Sequence, residues 1–147
     1  MSHPTCDSHL LGGWCRGALA AAALGLIAVL AVARLVEPDP RGYGTHERLG
    51  LSPCAFLTLT GKPCPSCGMT TSFAWFARGR LDRAFSANAA GVLLAPTCLV
   101  IVPWLLASAL RGRPWGTRTV AEPLVRLVVA IAAISLLAWT IRILRTT

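Results

Sequence analysis

Three long apolar runs in a chain of 147 residues constrain this protein more than any motif it carries. A helix needs about 20 mostly apolar residues to cross the hydrocarbon of a bilayer. The first run, 17–36, is free of charge except for Arg34, which lies near enough to its end to snorkel toward the headgroups. The second, 88–110, has no charge at all. Its Pro96 and Pro103 predict kinks rather than breaks, because spanning helices tolerate proline where neighbours satisfy the freed carbonyls. The third has an uncharged centre, 127–141, and reaches crossing length over 124–144 once Arg126 and Arg142 point outward. A hydrophobic share of 54% against 14% charged residues excludes an ordinary soluble domain. The expected fold is an all-α membrane protein with three transmembrane helices.

The first run also admits a cleaved signal peptide, since Ala31-Val32-Ala33 follows an apolar stretch with a small-x-small pattern. The residues ahead of it carry a single positive charge, Arg16, and the run is long for a signal sequence, so a retained span is the expectation.

A net charge of +8 raises the question of nucleic acid. The arginines, however, punctuate the ends of the apolar runs (Arg16, Arg34, Arg111, Arg126, Arg142) instead of gathering on one polar face. Membrane proteins place them there, so the partner expected is the lipid bilayer and not nucleic acid. The cysteine-bearing side carries slightly more arginines near the span ends, which favours the cytoplasm for that side.

A polar N-terminal segment, 1–16, is expected to be mobile, and 17–147 to form a single membrane domain. Residues 37–53, rich in Pro, Gly and charge, read as a loop outside the membrane. The informative segment is 54–87. Gly61 marks a turn ahead of Cys64-Pro65-Ser66-Cys67-Gly68, after which Met69, Phe73 and Phe76 recur at helical spacing. Gly79 fits a C-terminal cap, and Asn88 an N-terminal cap for the second span. The helix between is too short and polar to span, so it is expected to lie in the interface or re-enter the bundle, with Arg78, Arg80 and Arg83 at headgroup level.

This segment resembles a bacterial multi-pass membrane-protein family described only as a domain of unknown function. The matching residues are Cys54 and Phe56, Leu59-Thr60-Gly61, Cys64-Pro65-Ser66-Cys67-Gly68-Met69-Thr70, Gly79-Arg80-Leu81 and Asn88. Ala55, Thr71 and Ala89 depart from the pattern as we recognise it, which carries proline, arginine and proline there. The resemblance implies a fold, a locus and a bacterial inner (cytoplasmic) membrane location, but no reaction.

Six cysteines sort by context. Cys6, between His3 and His9, lies on a segment without preorganisation, and Cys15 and Cys98 fall in or beside apolar runs where packing is the default. Cys54, Cys64 and Cys67 differ. Cys-Pro-x-Cys-Gly is the turn of zinc knuckles, in which glycine permits the backbone to point N–H groups at thiolate sulfur. A closed tetrahedral site needs four ligands. His46, eight residues before Cys54, is one candidate for the fourth; cysteines of a second subunit are the other, which would make a copy of this chain or another membrane protein a partner. Zinc is preferred over iron because nothing suggests a redox partner.

Two other readings stay open. Cys64 precedes a predicted helix whose dipole would favour a thiolate, as in thiol–disulfide oxidoreductases, although the strand-helix alternation of those folds is missing. Alternatively the turn is structural, with Pro65, Gly68 and Thr70 setting the chain's path and the hydroxyls of Thr60, Thr70, Thr71 and Ser72 capping the helix that follows. No Ser-His-Asp set, paired carboxylates or phosphate-binding loop is present, so no catalytic residue is assigned.

Overall fold

The computed structural model describes residues 11–116 and 121–146. The His3, Cys6 and His9 set lies outside them. Among the described residues the structure is all helical: α1 Gly13–Leu35, a 3-10 helix Thr45–Leu49, α2 Ala55–Thr60, α3 Met69–Phe76, α4 Leu81–Ala87, α5 Ala89–Arg111 and α6 Ala121–Thr146. Three of these are long and apolar enough to cross a membrane, over Gly13–Leu35, Ala89–Arg111 and Ala121–Ile141. Their surfaces remain apolar outward, with Leu24, Val100, Val128 and Leu137 all more than half exposed. Such a surface suits lipid, not water.

The chain divides into two compact units, Met1–Val29 with Thr97–Val129 and Leu30–Pro96 with Ala130–Thr147. In the first, Leu11, just ahead of α1, and Cys15, Leu19 and Ala23 of α1, each four residues from the next, pack with Leu105 and Ala109 of α5. That spacing is one face of a helix, so the packing follows directly from the pattern. Cys15 is packed in this apolar core, as its place beside an apolar run suggests, and is disulfide-bonded as well. Arg16 closes the contact by donating from Nε to the Ala109 carbonyl at 2.7 Å and from Nη2 to that of Leu110 at 3.4 Å. These are last-turn carbonyls that lack intrahelical partners. The buried Ser108 hydroxyl accepts from the Trp115 N–H at 3.2 Å, and Trp104 Nε1 donates to the Trp115 carbonyl at 2.7 Å. The turn after α5 is thereby tied back onto its own helix.

The second unit contains the thiols. Its loop after α1 is organised by Asp39, which is 7% exposed and receives Arg41 at 2.8 Å, while Arg41 also reaches Glu47 at 3.2 Å. The Asp39 N–H donates to Thr45 Oγ1 at 2.9 Å, and Thr45 Oγ1 lies 2.7 Å from Thr71 Oγ1 in α3, both side chains fully buried. A pair of hydroxyls thus fastens the loop to α3. Arg78, two residues past α3, adds a second fastening between α3 and the end of α1, donating from Nη1 to the carbonyls of Ala33 at 3.1 Å and Ala74 at 2.9 Å.

Two glycines let backbones meet. Gly91 of α5 sits where a Cβ would come within 2.7 Å of the Ser72 side chain, so α3 and α5 touch there because Gly91 has no side chain. Gly68 has φ +86 and is wedged against the Ala87 carbonyl and, at 2.7 Å from where its Cβ would stand, the Gly42 carbonyl. Only glycine satisfies both the dihedral and the space. The hydroxyls do not cap α3 as the sequence suggests: no side chain hydrogen-bonds at its Gly68 cap. Ser72 Oγ donates instead to the Asn88 carbonyl at 3.0 Å, Thr60 Oγ1 to the Phe56 carbonyl at 2.6 Å, and Thr71 meets Thr45.

Candidate metal centre

The Cys-Pro-Ser-Cys-Gly stretch folds as a tight turn, with the Cys67 N–H on the Cys64 carbonyl at 3.0 Å and the Met69 N–H on that of Ser66 at 3.1 Å. This places two sulfurs on one side of the turn, 3.4 Å apart. Cys54 arrives from the start of α2, and its sulfur lies 3.6 Å from that of Cys64. All three sulfurs fall within 4.8 Å of one another. A disulfide would need about 2.05 Å, so these are three separate thiols. Zinc bound tetrahedrally at about 2.3 Å from each sulfur would require separations of about 3.8 Å. The separations from Cys64, 3.4 and 3.6 Å, are close to that.

The surroundings treat the thiols differently. A backbone N–H of Leu57 directed at Cys54 favours its thiolate and lowers its pKa. Burial pushes the Cys67 thiol up to about 12, with the Cys64 thiol adding in the same direction. His46 lines the same cavity of about 240 Å³ as the three cysteines, together with Thr70 and Thr71. Its ring nitrogens are not in the set that falls within 4.8 Å.

The turn is held from three directions through its backbone carbonyls. Asn88, immediately before α5, donates from Nδ2 to the carbonyls of Pro65 at 3.2 Å and Cys67 at 3.1 Å, and its Oδ1 accepts the Gly91 N–H at 3.1 Å. One side chain therefore starts a span and clamps the turn. Ser135 of α6 donates to the Pro65 carbonyl at 3.2 Å, and Trp139 Nε1 donates to that of Pro63 at 2.7 Å. Trp139 also meets Phe56 of α2 edge to face, ring centres 6.4 Å apart.

The remaining turn and headgroup candidates have definite places. Gly61 ends α2 with φ 69 and its N–H on the Leu57 carbonyl, and Gly79 follows α3 with φ 72 and its N–H on that of Phe76. Arg78 is half-buried and spent on carbonyls. Arg80 is exposed beside Asp82, whose carboxyl its guanidinium holds below the usual range, and Arg83 stacks 4.7 Å from the ring centre of Trp75. Thr45, Ser135 and Trp139 were not singled out by the sequence as parts of the site. Ser135 did leave a signal, being one of two hydroxyls in the uncharged run 127–141.

Fold and site together define a helical protein with three membrane-crossing helices and a cluster of three thiols beside them. The sequence profile of the family described as protein of unknown function (DUF2752) matches residues 54–102. That match begins at the first cysteine of the cluster, contains Asn88, and leaves out His46, Ser135 and Trp139. No curated protein and no solved structure matches the chain.

Proposed function

We propose that this is a small integral membrane protein, of the bacterial inner membrane, whose Cys54, Cys64 and Cys67 hold a zinc ion and thereby organise a docking corner for a partner protein. The observation that carries the reading is the sulfur triangle, with edges of 3.4 and 3.6 Å where zinc needs about 3.8 Å. His46 is the fourth ligand from this chain, reached by a rotation of its side chain within the shared cavity. A donor from a second subunit is the alternative for that position. The metal is structural: it fixes the turn, and the protein carries out no reaction of its own. Cobalt substitution tests this. Cobalt(II) should bind with the intense charge-transfer absorption of thiolate ligation, weakened by each of Cys54→Ser, Cys64→Ser and Cys67→Ser, while His46→Ala should alter the visible bands alone. Cobalt uptake without a thiolate signature contradicts the reading.

A second reading, a membrane thiol–disulfide oxidoreductase using Cys64 and Cys67, draws support from the three free thiols and the favoured Cys54 thiolate. Cys54 would then be the sulfur that resolves a mixed disulfide. A purely structural subunit is the third. Redox titration separates them: a reversible two-electron transition assigned to Cys64 and Cys67 supports the second, and an absence of both metal and redox behaviour supports the third.

A further inference from the structure

A second cavity, of about 480 Å³, also borders the turn, and Cys64 belongs to the walls of both cavities. Its size falls in the range of small-molecule sites, about 300–1,000 Å³. One wall is the α6 face that carries Ser135, Ala138 and Trp139, three positions at helical i, i+3, i+4 spacing on a membrane-crossing helix. Phe85, 65% exposed, and Ile141, 43% exposed, also border the cavity. Among the described side chains that line it, none is charged.

The polar groups that do line it are already committed. Ser86 Oγ donates to the carbonyls of Asp82 and Arg83, both at 3.0 Å. Asn88 has spent its amide on Pro65 and Cys67, and its oxygen on Gly91. Ser135 and Trp139 donate to Pro65 and Pro63. A guest would find apolar walls, no free hydrogen-bond donor among these four side chains, and one chemically reactive residue, Cys64. Against these described walls a polar or charged molecule would lose its hydration without replacement, which costs several kcal/mol on apolar transfer scales.

We infer that this cavity admits an uncharged, lipid-soluble small molecule from the bilayer and brings it to the Cys64 thiol. The zinc reading is not required for this: the cavity borders Cys64 whether or not a metal occupies the other cavity. Two maleimides test it on chelator-treated, full-length protein in lipid nanodiscs, one carrying a cyclohexyl group and one a trimethylammonium group. Labelling is read at each cysteine by peptide mass spectrometry and normalised to the rate with a small free thiol. The cyclohexyl reagent should label Cys64 at least about tenfold faster than the charged one, since burying even two methylenes favours it by that much. At Cys54 the preference should be smaller. Ala138→Phe, which fills the cavity, should remove the preference at Cys64 and leave labelling of Cys54 unchanged; Ile141→Trp, at the helix surface, provides the same blockade if the first variant does not fold. Equal rates for the two reagents at Cys64, or a preference that survives both blockades, overturns the inference. Zinc content, measured separately on untreated protein, tells failure of this inference from failure of the metal reading.

Discussion

The side-chain amide of Asn88 donates to the carbonyl of Cys67 at 3.1 Å, across 21 positions of sequence, and the same nitrogen reaches Pro65 at 3.2 Å. The residue that starts a membrane span is thereby the residue that shapes the cysteine turn. Asn88→Ala removes both bonds and the cap on Gly91, leaving the Cys67 carbonyl and the Gly91 N–H unpaired while the Pro65 carbonyl keeps Ser135. At about 1 kcal/mol per lost bond plus the cost of the stranded acceptor and donor, the expected loss is about 2–4 kcal/mol in unfolding free energy. Zinc affinity should fall in parallel, by about 10–100-fold, as for other groups that orient ligands without touching the metal. Denaturant unfolding in detergent and a chelator-competition titration measure the two effects.

Gly68→Ala should be among the most damaging single changes in the chain. The added methyl meets two backbone carbonyls, of Ala87 and Gly42, at a dihedral of φ +86 that disfavours any side chain. Backbone on both sides cannot move aside cheaply, so a loss above about 3 kcal/mol is expected. Gly61→Ala is the control: φ is again positive, at +69, but nothing lies within 4 Å. It should cost only about 1–2 kcal/mol. Equal losses for the two would contradict the close approach at Gly68.

Thr71→Val keeps the volume and removes one hydroxyl of the buried pair that joins the loop to α3. The Thr45 oxygen retains the Asp39 N–H, so the expected loss is about 1–2 kcal/mol, with Thr45→Val costing more because it strands that N–H as well. A double-mutant cycle on stability measures the coupling between the two hydroxyls.

Asp39 gives the loop a pH dependence. Its hydrogen bonds with Arg41 hold the carboxyl down to about 2, below the value near 3.9 of an unfolded chain. The folded form therefore prefers the ionised group. Its contribution is fully present above about pH 4 and is lost as pH falls through about 2. The stability difference between the native chain and Asp39→Asn should shrink over that window and stay constant at higher pH, as pH-dependent unfolding would show.

The three spans were legible because apolar length is a local property: 88–110 without a charge can be read from composition alone, and α5 occupies 89–111. The turn was legible for a similar reason, since Cys64, Cys67 and Gly68 lie within one short motif. The meeting of Cys54 with Cys64 was foreshadowed by residue type but not by geometry, because it depends on α2, whose six residues give too little periodicity to recognise. The clamps were the least legible. Ser135 and Trp139 lie about 70 residues from the carbonyls they satisfy, and nothing in a helical pattern states which backbone a hydroxyl will find. Thr45 and Thr71 were hidden for the same reason: a threonine in a loop and one on a helix look like surface residues until the fold buries both.

Metal content per protomer, by elemental mass spectrometry on protein purified in detergent without chelators, tests the central claim most directly. Zinc at about one per protomer is the predicted result, or about one per two protomers if a second subunit completes the site, and it should vanish in the Cys64→Ser/Cys67→Ser variant. Protein that is folded and free of both zinc and iron under those conditions would contradict the metal centre, and would leave the three sulfurs as thiols awaiting an oxidant or a purely structural explanation.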